Sequence, residues 1–308
     1  MAAWTNVGKD GRLPPRDREE GRDAGPPTVP HPDQPRGTMA AVPITPTPSL
    51  FLFDLDDTLC DYTAARDGRL RLAFRHAIGR AAGFADAAAS APRAHSPASP
   101  DGSRGGSPGV DIERLAAASV ARDPHGSDHF ADLLRDHGLD DPAVAEAARD
   151  WYRANRFHGL ALFEDAEATL LALRRTARTA GARIGLVTNG PSEVQRAKIT
   201  LLAVERLVDF VLVSEEVGSW KPEAAIFAEA LRRGGAGPDD ALFIGDSLEH
   251  DMAGAAAAGI RTVWSNRHGR TCRPGDARPD HEVVSLAEVL TLLGIDGPPD
   301  ADGSGDTG

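Results

Sequence analysis

Four carboxylates crowd the end of one apolar run: Asp54, Asp56, Asp57 and Asp61 follow Leu50 to Phe53 in the stretch LFLFDLDDTLCD. Three more apolar runs end in groups of similar character. IGLV leads into Thr188-Asn189-Gly190, FVLV into Ser214-Glu215-Glu216 and then Lys221-Pro222, and LFI into Gly245-Asp246-Ser247 with Asp251 beyond. Carboxylates gathered in one place repel one another and hold their protons until a cation relieves them, and a donor set made only of oxygen suits hard Mg2+. Asp54 and Asp246 are the leading candidates as ligands. A divalent ion does not by itself balance several carboxylates and a phosphate dianion, so a fixed cation is needed, and Lys221 is placed to supply it. Thr188 offers its hydroxyl to a phosphoryl oxygen. One carboxylate can attack phosphorus to give an aspartyl phosphate, while a second protonates the leaving alkoxide and then activates water. Asp54 and Asp56 lie where a strand becomes a loop, and can share one pocket in those different roles.

Each cluster alone has a plainer reading. An Asp-x-Asp at a strand end can be a solvated turn, Thr-Asn-Gly a turn, Lys-Pro a helix start, and Asp246 a helix N-cap. A calcium loop of the EF-hand type starting at Asp54 requires Gly at its sixth position and Glu at its twelfth, where Leu59 and Ala65 stand. The joint order of the clusters carries the argument. Asp57, Glu215, Glu216 and Glu249 read as solvated or structural, His250 as facing solvent, and Cys60 as a small buried residue.

The elements that must bring these groups together alternate. Strands are expected at 50–54, 183–190, 209–215, 241–247 and 261–266, and helices at 165–179, 192–202, 222–233, 251–258 and 285–293. That grammar predicts an α/β fold, a doubly wound parallel sheet with a Rossmann-like core, whose ligands bind outside the carboxyl ends of the strands. Between the first strand and the rest, 62–159 reads as an all-helical unit with helices at 62–82, 111–121, 127–137 and 142–157, the last two opened by Ser127 and by Asp141-Pro142. A Ser/Pro/Gly-rich tract over about 85–110 interrupts it as a low-complexity insertion. Arg66, Arg69, Arg71, Arg75 and Arg80 on the first of these helices form a solvated face, with one or two free to meet an anionic substrate. The core is expected over 49–61 and 160–295, between a disordered extension at 1–48 and a disordered tail at 296–308, with Met39 as the native start.

The four clusters resemble the motifs of the haloacid dehalogenase-like hydrolase superfamily. DLDDT fits its DxDxT motif, LVTNG its second, SWKPEAAIF its third and GDSLEHD its fourth, in order across about 50–61 and 160–268. The resemblance implies Asp54 as nucleophile and Asp56 as general acid and base whose backbone carbonyl also ligates Mg2+. It implies Thr188 and Lys221 as phosphate-binding and charge-balancing residues, with Asn189 beside them. It also implies Asp246 as a metal ligand and Asp251 near the metal or supporting it, so that the metal set is Asp54, Asp56, Asp246 and Asp251. The helical insertion resembles a C1-type cap. LVTNGPSEVQRAKI and VSEEVGSWKPEAAIFAEAL are most similar to the nucleotidase and sugar-phosphate phosphatase branch. The Ser/Pro tract departs from the cap pattern, and no substrate residue carries over there.

Composition narrows the alternatives. A chain of 308 residues that is 41% apolar can bury a sizeable core, and a net charge of −12 argues against binding a nucleic-acid polymer or an anionic membrane. Cys60 and Cys272 stand far apart and outside any CxxC pattern, which fits a reducing cytoplasm. No stretch approaches the roughly 18 apolar residues of a membrane span, and the start lacks the apolar centre of a signal peptide. The expected partner is a small phosphorylated metabolite and the expected cofactor Mg2+. Within the same superfamily a haloacid dehalogenase or a phosphomutase remains an alternative, though a dehalogenase needs neither a metal nor the leaving-group acid. A receiver-like phospho-acceptor domain is the non-enzymatic alternative, disfavoured because the strand IGLV ends in Thr rather than Asp. No GxGxxG follows a strand, and no Walker lysine motif occurs.

Overall fold

The computed structural model describes residues 43–81, 111–121 and 129–295. The expectations for the chain before residue 43, for Met39, for the tract at 85–110, for the Ser127 cap and for the 296–308 tail lie outside those residues. Six strands, β1 (Leu50–Phe53), β2 (Arg183–Thr188), β3 (Phe210–Val213), β4 (Ala241–Gly245), β5 (Arg261–Ser265) and β6 (His281–Val283), form one sheet in the order β3-β2-β1-β4-β5-β6. Every neighbouring pair is parallel. β1 occupies the centre because it is apolar at every position, as a strand covered on both faces must be. Successive side chains point to opposite faces, so Phe51 and Phe53 join one core cluster while Leu50 and Leu52 join the other.

Helices α1 (Tyr62–Ala81), α2 (Ile112–Ala121), α3 (His129–Asp136) and α4 (Pro142–Ala154) precede the helices of the sheet layers. Those are α5 (Ala166–Ala180), α6 (Ser192–Leu201), α7 (Ser214–Val217), α8 (Ala224–Gly234), α9 (Ala253–Ala257) and α10 (Ala287–Leu292). Leu170, Ile199 and Val289 from α5, α6 and α10 pack with Phe51 and Phe53, whereas Phe227 and Ala255 from α8 and α9 pack with Leu50 and Leu52. The sheet is therefore wound on both faces.

α1 to α4 enclose a third core of their own, with Leu70, Phe74, Leu115, Leu133, Leu134, Val144 and Ala148 buried together. Asp141 caps α4, its carboxylate accepting from the backbone N–H groups of Ala143 and Val144, and Pro142 opens the first turn. The chain leaves and re-enters the sheet region side by side. Cys60 bridges Leu162 in antiparallel fashion, and the Phe163 N–H donates to the Leu59 carbonyl at 3.0 Å.

Four local expectations are corrected. Residues 43–48 belong to the packed structure rather than to an unordered extension: Ile44 is buried, and its N–H donates to the Leu292 carbonyl at 2.7 Å. β6 escaped sequence reading because its three residues bury only Val283, too short a run to show a period. The strand expected over 209–215 ends at Val213, where Ser214 begins the single turn of α7. The helix expected over 251–258 opens earlier, as a π-type turn over Leu248–Met252 that passes into α9.

Candidate active site

Asp54 is the first residue beyond β1, and its N–H still donates to the Ile244 carbonyl of β4 at 3.0 Å. Sheet pairing therefore fixes the backbone from which its carboxylate projects. Lys221 meets that carboxylate from the loop before α8. Its Nζ lies 2.6 Å from Asp54 Oδ1 and 2.7 Å from Asp251 Oδ1, and donates to the Val187 carbonyl at 3.0 Å. The loop is held by Asn189, whose Oδ1 accepts from the Lys221 N–H and whose Nδ2 donates to the Lys221 carbonyl, both at 2.9 Å. The side-chain amide of Asn189 thus positions Lys221, and the second N–H of its Nδ2 stays available as a donor.

Asp246 follows β4 directly. Its Oδ2 accepts from Arg270 Nη2 at 2.8 Å, and its carbonyl accepts from Trp264 Nε1 at 2.8 Å and from Arg270 as well. Asp251 is almost wholly buried in the π-type turn, with Oδ2 accepting from the Ser247 N–H at 3.0 Å. The adjoining position must be glycine, because a Cβ on Gly245 would occupy the space of the Asp251 carboxylate. Each of Asp54, Asp246 and Asp251 offers a carboxylate oxygen, and these oxygens all lie within 4.8 Å of one another.

Charge is poorly balanced there. Burial pushes the Asp54 carboxyl well above the usual range; Lys221 pulls it down, and Asp251, Asp246 and Asp56 push it further up. Asp246 is raised to about 7 by burial and by Asp251, against the pull of Arg270. Lys221 is raised despite its own burial, held charged by Asp251 and Asp54. Three carboxylates against Lys221 and the half-exposed Arg270, with every candidate metal donor an oxygen, fit a hard divalent cation.

The Asp56 carboxylate stands apart from this trio. Lys198 Nζ donates to its Oδ1 at 2.9 Å and to Oδ2 at 2.7 Å, and Gln195 Nε2 donates to Oδ2 at 3.2 Å. The same Gln195 nitrogen approaches Thr188 Oγ1 at 2.5 Å, which leaves the Thr188 hydroxyl hydrogen to donate elsewhere. Lys198 is buried, and its Nζ lies 3.9 Å from the centroid of the Tyr62 ring at the start of α1. Burial and Asp56 raise the pKa of the buried Cys60 thiol.

The seven residues singled out from sequence therefore stand close together along one edge: Asp54, Asn189, Lys221, Asp246 and Asp251 through direct contacts or the carboxylate trio, and Asp56 and Thr188 through Gln195. Asp57 and Asp61 form another acidic group with His268, but Asp57 accepts from the Thr63 N–H and hydroxyl at 2.7 and 2.6 Å and Asp61 from the Ala64 N–H at 3.0 Å, so both serve the start of α1. Thr58 is buried, and its hydroxyl has no hydrogen-bond partner among the described residues. Sequence reasoning missed Lys198, Gln195 and Arg270. The first two carried a signal, since they lie three apart on a helix that opens at the carboxyl end of β2. Arg270 lies in an irregular segment and carried none.

Lys221 among the carboxylates of Asp54, Asp246 and Asp251 thus stands at the carboxyl edge of a doubly wound sheet, beside a helical insertion. The chain belongs to the haloacid dehalogenase-like hydrolase family, whose model matches residues 48–259. It is 36% identical over 169 residues to the glyceraldehyde 3-phosphate phosphatase of Methanopyrus kandleri, covering 54% of this chain and 71% of that protein. It is 34% identical over 176 residues to the phosphoserine phosphatase of Thermus thermophilus, covering 57% of this chain and 68% of that protein. Among solved structures, the HAD-hydrolase YfnB of Bacillus subtilis, bound to magnesium, shares the fold with a TM-score of 0.60 at 23% identity, over 81% of this chain and 100% of that one.

Proposed function

We propose that this enzyme hydrolyses small phosphate monoesters through an aspartyl-phosphate intermediate, with Asp54 as the nucleophile. The observation that carries the proposal is the contact of Lys221 with both Asp54 and Asp251 at 2.6 and 2.7 Å, at a sheet edge where Asp56 is held separately by Lys198. Asp54 attacks phosphorus while Asp56, which takes up a proton from solvent before the step although Lys198 pairs with its carboxylate, gives that proton to the departing alkoxide. Asp56, now ionised, takes a proton from water as that water attacks the same phosphorus, and inorganic phosphate leaves with the Asp54 carboxylate restored. Lys221 neutralises the nucleophile and a phosphoryl oxygen, and Thr188 donates its hydroxyl to another. Asp54, Asp246 and Asp251, with the Asp56 carbonyl, would hold Mg2+, which would supply the remaining positive charge.

The separate anchoring of Asp56 favours phosphoryl transfer over dehalogenation, which has no alkoxide to protonate. A receiver-like role is disfavoured because β2 ends in Thr188 and a helical unit follows β1. No helix among the described residues is long and apolar enough to cross a membrane. We place the enzyme in the cytoplasm, where Cys60 and Cys272, both free, stay reduced. Phosphate release from p-nitrophenyl phosphate and from a panel of sugar phosphates and nucleoside monophosphates, with and without Mg2+, tests the proposal and separates a hydrolase from a mutase. Asp54→Asn should lower turnover by at least about a thousandfold. Full activity in that variant would overturn the mechanism.

A further inference from the structure

The arginines of α1 differ from one another in burial and pairing. Arg75 and Arg80 are exposed, and Arg71 pairs with Asp67 at 2.7 Å and with Glu113 at 2.8 Å. Arg69 differs in both respects. It is 2% exposed, its Nε has no hydrogen-bond partner, and no carboxylate pairs with it among the described residues. Its guanidinium carbon lies 5.6 Å from the Tyr62 ring centroid and 5.4 Å from that of Tyr152. Aromatic faces attract a cation but accept none of the in-plane N–H bonds of a guanidinium, so this buried charge lacks the anion that ordinarily accompanies one.

Its position gives the missing anion a meaning. Tyr62 packs on a sheet core cluster and Tyr152 on the cluster of the helical unit, so Arg69 stands at the seam between the two. The Tyr62 ring that contacts Arg69 also contacts Lys198, which holds Asp56. Arg66, one turn earlier on α1, likewise has a buried Nε without a partner. In a chain of net charge −12, Arg66, Arg69 and Lys198 gather around Tyr62 and Tyr152, and among the described residues Asp56 is the carboxylate paired with Lys198.

We propose that this seam is a second anion subsite centred on Arg69, and that the preferred phosphate esters carry a further negative group, a carboxylate or a second phosphate, beyond the phosphoryl group that is transferred. The inference rests on the phosphatase reading and adds a substrate class to it. The planar guanidinium can accept either group through paired N–H donors.

The test is phosphate release by the full-length enzyme from two matched pairs, with p-nitrophenyl phosphate alongside. The pairs are phosphoglycolate against 2-hydroxyethyl phosphate, and glycerol 1,3-bisphosphate against glycerol 1-phosphate. In at least one pair the ester with the additional anion should be preferred by about tenfold or more in kcat/KM, the scale of one charged hydrogen bond. The pair showing the preference identifies the anion. Arg69→Met should bring that ratio close to one, with the change in KM, while Arg69→Lys should keep part of it. Equal kcat/KM within both pairs for the unaltered enzyme, or a ratio that Arg69→Met leaves intact, would overturn the subsite while turnover of p-nitrophenyl phosphate upholds the phosphatase reading. The ratio of the unaltered enzyme and the Arg69→Lys variant decide the matter should Arg69→Met fold poorly. Absence of release from all five esters would overturn the subsite and the phosphatase reading together.

Discussion

Lys198 donates to both carboxylate oxygens of Asp56, at 2.9 and 2.7 Å, from a position 142 residues further along the chain. The pairing fixes the direction of the carboxylate, and the Tyr62 ring covers the lysine at 3.9 Å. Lys198 therefore has the geometry of a positioning residue for proton transfer. Lys198→Met should lower kcat for alkyl phosphates, whose leaving groups need protonation, by about ten- to a hundredfold. The loss with p-nitrophenyl phosphate should be much smaller, Asp56→Asn should show the same selectivity, and Lys198→Arg should recover most of the rate. A dependence of rate on leaving-group pKa, measured across a series of aryl and alkyl esters, reads the difference; parallel losses across the series would reduce Lys198 to a structural role.

Lys221 is the only ammonium group in contact with the two buried carboxylates of Asp54 and Asp251 among the described residues. Lys221→Met strands both, which should cost about 3–5 kcal/mol of stability in urea denaturation and abolish turnover. Adding Asp251→Asn to that variant should restore part of the stability and none of the activity, because one uncompensated charge is removed while the nucleophile still lacks its counter-ion.

Without a metal ion the carboxylates of Asp54, Asp246 and Asp251 repel one another against the pull of Lys221 and Arg270. Mg2+ should therefore raise the thermal unfolding temperature, with stabilisation of about 2.7 kcal/mol at a hundred times its Kd. Chelation should reverse the shift and the activity together. Asp246→Asn should flatten the temperature response to Mg2+, and an unchanged response in that variant would exclude Asp246 as a ligand.

A side chain at position 245 has no room beside Asp251. Gly245→Ala should displace the buried Asp251 carboxylate from Lys221 and from the Ser247 N–H, lowering kcat by more than tenfold for the addition of one methyl group. Gly218→Ala, at a position where the added Cβ meets nothing within 4 Å, controls for a general effect of replacing glycine. Its positive φ costs some stability without touching the carboxylates.

Glu216 joins α6 to α7 by accepting from Arg196 at 2.8 and 2.6 Å and from the Ser192 hydroxyl at 2.6 Å. The Arg196 hydrogen bonds, with that of Ser192, lower its pKa from 4.5 to about 2. A depressed folded-state pKa gives stability that is complete above about 4.5 and disappears as pH falls toward about 2, because the unfolded chain takes up the proton first. The stability difference between the unaltered protein and Glu216→Gln should thus narrow steadily across that window. A constant difference from pH 6 to pH 3 would show that the latch does not depend on the Glu216 charge.

Read in order, the residues alone determined that apolar runs alternate with amphipathic helices, and that Asp54, Thr188, Lys221 and Asp246 each follow or flank the end of such a run. Those features are legible because burial on both faces of a parallel sheet demands continuous apolar strands, and because ligand groups must lie where strands end. Pairings between distant residues were not legible. The spacing of Lys198 and Gln195 on α6 did not join them to Asp56, nor did the residues alone join the Asn189 side-chain amide to the Lys221 backbone. Their roles depend on which polar atoms meet when β1, β2 and β4 are laid side by side and the helical unit folds against them. A sequence carries the period of its own elements, whereas the partner of a buried charge is chosen by the desolvation that only the packed tertiary structure imposes.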